Sequence, residues 1–475
     1  MISTTTLAFF DGVRIVVPDS LQLITPYVIA EQQDWFEDEI KFLRRLLQPG
    51  ERVIDIGANY GVYTLSMAKT VGVEGHVWAF EPAPYTARLL SEGISSNNFT
   101  QITLVQSALS NLCGSARLSI SPHSELNALI HGESTAGESE IVPVVTLDDC
   151  LEKYGWHEID FMKIDAEGEE TNILKGGTHF FAKMSPLIQY EIKAGTELNL
   201  RLVKEFASIG YDSYLLVPGL DLLAPFDASS PPDGYLLNLF CCKPERARQL
   251  SSRGFLTSSG IGLSRHEQDQ SDELFSSTEF PNTYHWRKTL ARLPYGILLA
   301  DRWEQTKATE TRAEIGKALT LYFFSQDISQ SARQRIAALG ACVNQLVEVC
   351  ERQPTSLQLC SLARAARDYG ARSLAVNALG RFINSLLQNK NMALDEPFLP
   401  PGKRFDSLVP GEDMNNWLLA SALEEFETLS SFSSFYLGAS SRQRLEVIGK
   451  TGFASPEMKR RLQLLTARFG SPAAT

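Results

Sequence analysis

From residue 51 to about 244, short apolar, β-branched runs alternate with longer segments of helical spacing. That alternation leaves few folds open to the chain. Strands apolar on both faces and joined by helices call for a mostly parallel sheet with helices packed on each side. The strand candidates are 52–56, 76–80, 102–106, 159–164, 187–192, 213–217 and 237–242. Helices are expected at 61–70, 84–97, 169–174 and 197–209, the last stopped by Gly210. A Ser-, Gly- and Glu-rich insertion, 110–143, interrupts the rhythm and reads as a long functional loop or lid. Ahead of the first strand, 31–47 reads as one amphipathic helix, acidic at its start and basic at its end.

Past residue 244 the pattern changes. A polar stretch reads as a linker, and then strand signals nearly vanish while apolar residues recur at helical spacing in 331–351, 356–369, 371–387, 414–429 and 456–469. Little more than Gly370 separates two of these helices, which predicts an antiparallel hairpin. A chain of 475 residues suits two or three domains. The expected division is an N-terminal extension with a leading helix (1–50), an α/β domain (51–244), a linker (245–280) and an all-α domain (281–475). Charge divides with it: residues 1–280 carry a net −18 and 281–475 a net +6. An acidic first part is a poor surface for nucleic acid.

Seven scattered cysteines with no Cys-x-x-Cys pair suggest neither a disulfide framework nor a zinc site. The first residues lack a basic stretch before their short apolar run, and no apolar run approaches the ~18 residues of a spanning helix. The expectation is a cytoplasmic protein with no membrane span.

The chemistry concentrates in Val53-Ile54-Asp55-Ile56-Gly57-Ala58-Asn59-Tyr60-Gly61-Val62-Tyr63-Thr64. A buried strand ends in an acid, and a Gly-x-Asn-x-Gly turn leads into a helix at the edge where open α/β sheets bind ligands. Asn59 stands where a dinucleotide fingerprint has its second glycine, and no third glycine follows. A nicotinamide dinucleotide, and with it an oxidoreductase, is therefore a poor fit. The next strand ends in Phe80-Glu81-Pro82, and a carboxylate there can accept both hydroxyls of a ribose. An adenosine ligand without phosphate points to S-adenosyl-L-methionine.

With Ser107-Ala108-Leu109-Ser110, Val145-Thr146-Leu147-Asp148-Asp149, Lys163-Ile164-Asp165-Ala166-Glu167-Gly168 and Ile173-Leu174-Lys175-Gly176-Gly177, the set resembles the FkbM-type methyltransferases over about residues 30–245. The resemblance implies a class I methyltransferase fold, a Rossmann-like sheet with helices on both faces. It also implies transfer of a methyl group to a hydroxyl on a sugar, glycan or secondary metabolite. Carried over residue by residue, it places Asp55, Gly57, Asn59 and Gly61 around the methionine end of the cofactor, Glu81 at the ribose, and Ser107 and Ala108 beside the adenine.

A hydroxyl acceptor must lose a proton, so a base is needed. Asp165, after the fourth strand, is the first candidate; Glu191, at the end of the fifth, and His123, in the insertion, are the others. No metal is expected. The helical part could bind a protein partner or self-associate, and the alternative for the whole chain is a scaffold whose methyltransferase-like domain is not catalytic.

Overall fold

The computed structural model describes residues 3–131, 138–194, 197–257, 284–306, 309–352, 355–388 and 392–470. The chain forms two compact units. Unit 1 comprises Met1–Leu216, Ala228–Ser230 and Leu236–Arg253. Unit 2 comprises Val217–Asp227, Pro231–Tyr235 and Gly254–Thr475.

In chain order the strands are β1 (Thr4–Ala8), β2 (Arg14–Pro18), β3 (Arg52–Ile56), β4 (His76–Phe80), β5 (Ile102–Val105), β6 (Ala108–Leu109), β7 (Gly114–Ser119) and β8 (Ser139–Val145). They continue as β9 (Phe161–Ile164), β10 (Leu187–Glu191), β11 (Lys193–Ala194), β12 (Glu197–Leu198), β13 (Asp212–Val217), β14 (Leu222–Pro225) and β15 (Asn238–Cys242). The helices up to residue 252 are α1 (Ile24–Gln32), α2 (Asp38–Leu46), α3 (Val62–Val71), α4 (Pro84–Ser96), α5 (Leu147–Tyr154), α6 (Glu170–Lys175), α7 (Thr178–Lys183), α8 (Arg201–Ser208) and α9 (Pro244–Ser252).

The main sheet of unit 1 runs β5-β4-β3-β9-β10-β15-β13. The pairs among β5, β4, β3, β9 and β10 are parallel, and β15 lies antiparallel to both β10 and β13. Burial explains the apolar strand sequences: Val53, Ile54, Val77, Met162 and Ile188 are all fully covered. Successive βα units leave β3 toward β4 on one side while β9 pairs on its other side. The order therefore reverses at β3, and a crevice opens at the carboxyl ends of these strands.

Three local expectations are corrected. The leading helix is two helices, because Gln33 adopts a left-handed conformation that ends α1, and α2 begins only at Asp38. A hairpin of β1 and β2 precedes them. The insertion is no plain loop: β7 and β8 pair antiparallel and join β6 in a three-stranded sheet, with Leu118 and Val142 packed against Ala83. The helix expected from 197 starts at Arg201, since Glu197–Leu198 pairs with Lys193–Ala194.

Most of the linker expected at 245–280 lies outside the described residues. Its beginning is helix α9 of unit 1, where Arg246 bonds the Ser185 carbonyl and pairs with Asp160.

Among its described residues, unit 2 is helical apart from β14. Its larger helices are Pro294–Gln305, Glu310–Ser325, Ala332–Arg352, Ser356–Tyr369, Arg372–Gln388, Met414–Leu429, Ala439–Lys450 and Pro456–Phe469. They share one core that includes Tyr295, Leu339, Phe382 and Trp417. Gly370, at φ 93°, makes the tight joint of the expected hairpin.

Candidate active site

The turn after β3 holds three residues of positive φ in five, Gly57 at 79°, Asn59 at 48° and Gly61 at 94°. Glycine enters that region freely and asparagine tolerates it, which accounts for the residue types. The Gly57 and Ala58 amides donate to the Phe80 carbonyl at 3.1 and 3.0 Å, clamping the turn to the end of β4. The glycines answer to protein packing as well as to any ligand. A Cβ on Gly57 would overlap the Asp165 carbonyl, and one on Gly61 would overlap Leu90.

Asp55 and Glu81 come together across this turn. Asp55 is fully buried; its Oδ2 accepts from Thr64 Oγ1 at 2.5 Å, while its Oδ1 has no hydrogen-bond partner. Burial raises its carboxyl above the ordinary value, against the pull of the Lys163 charge. Glu81 is held by two backbone amides, Asn59 N to Oε2 and Ala83 N to Oε1, both at 2.9 Å. Burial pushes it up to about 7. Each carboxylate oxygen has a second lone pair, so the fixed group can still accept from a ligand.

Ser107 follows β5, its amide bonded to the Val105 carbonyl that also receives the Glu81 amide. Ala108 begins β6 and pairs with Val144. Both residues are buried.

The other edge of the site is acidic. Asp165, Glu167 and Glu191 each offer an oxygen within 4.8 Å of the others. Such an all-oxygen set could hold a divalent cation, a possibility the sequence spacing did not call for. Burial and the charges of Asp165 and Glu167 lift Glu191 to about 9. Burial and Asp165 lift Glu167 to about 7. Glu167 also has φ 47° in the turn into α6.

Behind this edge lies a polar row that the sequence reading missed. Strand register sets Asp55, Lys163 and Gln189 side by side on β3, β9 and β10. Lys163 is buried and donates to Asp165 Oδ2 at 2.6 Å. Burial works against its charge, yet Asp165, Asp55 and Glu37 outweigh that and raise its pKa. Its ammonium sits 4.8 Å from the centre of the Tyr63 ring. Tyr63 OH donates to Glu37 and accepts from Gln189 Nε2 at 3.1 Å, and Gln189 Oε1 has no partner. A lysine and a glutamine inside otherwise apolar strands were the available signal; their pairing needed the register.

The insertion reaches the site at Asn59 and is tied down further at Thr25 and Glu169. Ser124, next to His123, donates to Asn59 Oδ1 at 3.1 Å; Glu125 accepts from Thr25; and His131 pairs with Glu169. His123 thus comes to the glycine turn through its neighbour.

The residues present fit S-adenosylmethionine. Asp55 Oδ1 is a buried acceptor in want of a donor, Glu81 is a carboxylate fixed by two backbone amides beside the glycine turn, and the surplus of acids suits a cationic sulfonium.

Strand order, the reversed β15 and the turn at the carboxyl end of β3 define unit 1 as a class I methyltransferase fold. Residues 55–213 match the family model of the methyltransferase FkbM domain. Among curated proteins the chain is similar to methyltransferase sdnD of Sordaria araneosa, 28% identical over 154 residues, covering 26% of this chain and 59% of that protein. It is also similar to hexuronic acid methyltransferase AglP of Haloferax volcanii, 29% identical over 161 residues, covering 34% of this chain and 64% of that protein. The chain thus spans about three fifths of the length of these relatives. An FkbM methyltransferase from Methylobacillus flagellatus overlaps 40% of this chain and 43% of its own at 18% identity and a TM-score of 0.28. The strand order, not that overlap, carries the fold assignment.

Proposed function

We propose that the protein is an S-adenosylmethionine-dependent O-methyltransferase acting on a hydroxyl of a sugar, glycan or secondary metabolite. The observation that carries this reading is the Glu81 carboxylate, fixed by the Asn59 and Ala83 amides beside the glycine turn and the unpartnered Asp55 oxygen. The name of one relative, a hexuronic acid methyltransferase, inclines the acceptor toward sugars.

In this reading Glu81 takes the ribose hydroxyls, Asp55 and the turn Gly57–Gly61 enclose the methionine end, and Ser107 and Ala108 border the adenine. When bound, the cofactor supplies an electrophilic methyl group. The chain's own part is to position the acceptor and to take its proton, since in-line displacement gains most from alignment. Asp165 is the proposed base; its position is fixed by Lys163 and by its backbone contact with β3. Glu191 stands beside it, and His123 belongs to the cap formed by the insertion. No metal is assigned a step. Seven free cysteines suit action in the reducing cytosol. Among the described residues no helix is long and apolar enough to cross a membrane. Unit 2 would select the acceptor or bind a partner.

The test is mass spectrometry of candidate sugars and metabolites after incubation with methyl-labelled cofactor, comparing wild type with Asp165→Ala. Label on an acceptor hydroxyl in the wild type alone is the expected result. Wild-type protein that binds no S-adenosylhomocysteine by calorimetry would end the reading.

A further inference from the structure

We infer that Glu37, which lies before the family-matched segment, is a positioning residue of the active site, acting with Tyr63 as a buried strut that holds Lys163 and, through it, Asp165. The inference rests on the methyltransferase reading and extends it to a residue outside the matched domain.

Glu37 stands at the N-cap of α2 in extended conformation, a position where short Ser, Thr, Asp or Asn side chains ordinarily cap the helix. Here the side chain makes no capping bond. It turns to the sheet, and three elements bind it: Trp35 Nε1 from the preceding loop at 3.1 Å, Tyr63 OH from α3, and Asn238 Nδ2 from β15 at 3.3 Å. The longer glutamate side chain thus serves the sheet and α3 rather than its own helix.

What the carboxylate fixes is the Tyr63 ring. With its hydroxyl bound on one side by Glu37 and on the other by Gln189, the ring cannot turn, and its face lies 4.8 Å from the Lys163 ammonium. Lys163 is thereby held between that face and Asp165 Oδ2. Burial raises the Glu37 carboxyl above its ordinary value, and the Lys163 charge works against that rise, so the two groups are linked electrostatically as well as through the ring.

A polar array this deep is costly to bury, and apolar residues would fill the same volume at less cost. Two acceptors in the same strand register as Lys163, Asp55 Oδ1 and Gln189 Oε1, lack partners, which is expected of a site built to receive a ligand or ordered water rather than of a packing core.

The test needs no acceptor. S-adenosylhomocysteine is neutral at sulfur, whereas sinefungin carries an amine where the transferable methyl would be. The ratio of their affinities by calorimetry therefore reports the carboxylate at the methyl position. In wild type, sinefungin should bind at least 10-fold more tightly, and Asp165→Asn should remove most of that advantage. Glu37→Gln should cut the ratio about 5-fold while changing S-adenosylhomocysteine affinity less than 2-fold, and Glu37→Asp should restore part of it. Tyr63→Phe keeps every charge and the ring but breaks the strut, so it should also lower the ratio; thermal unfolding followed by circular dichroism checks that each variant folds.

A ratio that responds to Asp165→Asn but not to Glu37→Gln or Tyr63→Phe overturns the inference, and so does one that ignores Asp165→Asn. Wild type binding neither compound sinks the methyltransferase reading itself, a separate failure.

Discussion

Gly57 and Asp165 meet backbone to backbone: the side of Gly57 on which a Cβ would stand is occupied by the Asp165 carbonyl oxygen, and the Asp165 amide donates to Ile56 just before the turn. The loop that carries the proposed base is therefore seated on the loop that would hold the cofactor. One small residue sets both, which gives the first glycine of the motif a reason independent of ligand contact.

Gly57→Ala should therefore be severe. The new methyl meets backbone, which cannot step aside like a side-chain tip, and φ is 79°. Positive φ alone costs a non-glycine residue about 1 kcal/mol or more, and the overlap adds to it. Urea denaturation should show a loss of roughly 2–4 kcal/mol, and S-adenosylhomocysteine binding should vanish. Gly12, at φ 88° with nothing near its Cβ position, is the control: alanine there should cost only the backbone strain.

Glu81 predicts a pH dependence of determined sign. Burial lifts it to about 7 in the folded protein, from an ordinary 4.5. The folded state thus holds the proton more tightly than the unfolded state. The resulting stability is fully present below pH 4.5 and is lost as pH rises through 7, by up to about 3 kcal/mol. Cofactor affinity should move the opposite way, since only the ionised group accepts two hydroxyls. Urea midpoints of wild type and Glu81→Gln at pH 5 and pH 8 check the first claim. Calorimetry with S-adenosylhomocysteine over the same range checks the second.

The parts of this architecture that were legible in the sequence are those encoded locally. Strand 52–56, the glycine turn, Glu81 at the end of the next strand and the hairpin around Gly370 each carry their signal within a few residues. What escaped needed pairing at a distance. Lys163 acquires its role only when β9 is set between β3 and β10, and Glu37 only when α2 is seen to start beside Tyr63. The insertion read as a loop because β7 is short and mostly polar, with only Leu118 fully covered. The leading helix read as continuous because one left-handed Gln33 leaves no mark on periodicity.

Glu191→Gln should stabilise the unliganded protein. Its carboxyl is driven to about 9 by burial and by Asp165 and Glu167, so above neutral pH the native fold increasingly holds repelling charges. Replacing one with an amide should raise the melting temperature at pH 9 by several degrees and change it little at pH 5, where the carboxyl is protonated in the folded state. With no metal assigned to the reaction, EDTA should leave S-adenosylhomocysteine affinity unchanged. A chelator that weakens binding, restored by Mg²⁺ or Ca²⁺, would give the three-carboxylate edge a different use.

Truncation tests the division of the chain. A fragment ending at Lys243 loses α9 and with it the Arg246–Asp160 pair and the bonds of Arg253 to Leu46 and Glu51. It also strands Val217, Leu220, Leu222 and Ala224, whose side chains belong to the core of unit 2. The fragment 1–243 should therefore be less stable than 1–253 by roughly 1–3 kcal/mol, and both should self-associate more than the whole chain in sedimentation experiments. Cofactor binding should survive in 1–253, since every proposed cofactor residue lies within unit 1.

Unit 2 has a buried charge cluster whose rupture should be costly. Arg364, 2% exposed, reaches Asp406 at 2.6 Å and lies 3.8 Å from the fully buried Asp368. Tyr322 accepts from Arg364 and donates to Asp368, which also pairs with Arg367 and Lys403. Burial pushes the Asp368 carboxyl up, but Lys403, Arg367 and Arg364 together hold it below its ordinary value. Its stabilisation is therefore present above pH 4 and is lost as pH falls through the lower folded value. Asp368→Asn leaves Arg364 and its neighbours short of an anion, which should cost about 3–5 kcal/mol at pH 7. The gap from wild type should narrow below pH 4. Urea denaturation of both proteins at pH 7 and pH 3.5 measures it, and an equal gap at the two pH values would mean that packing, not charge, makes Asp368 matter.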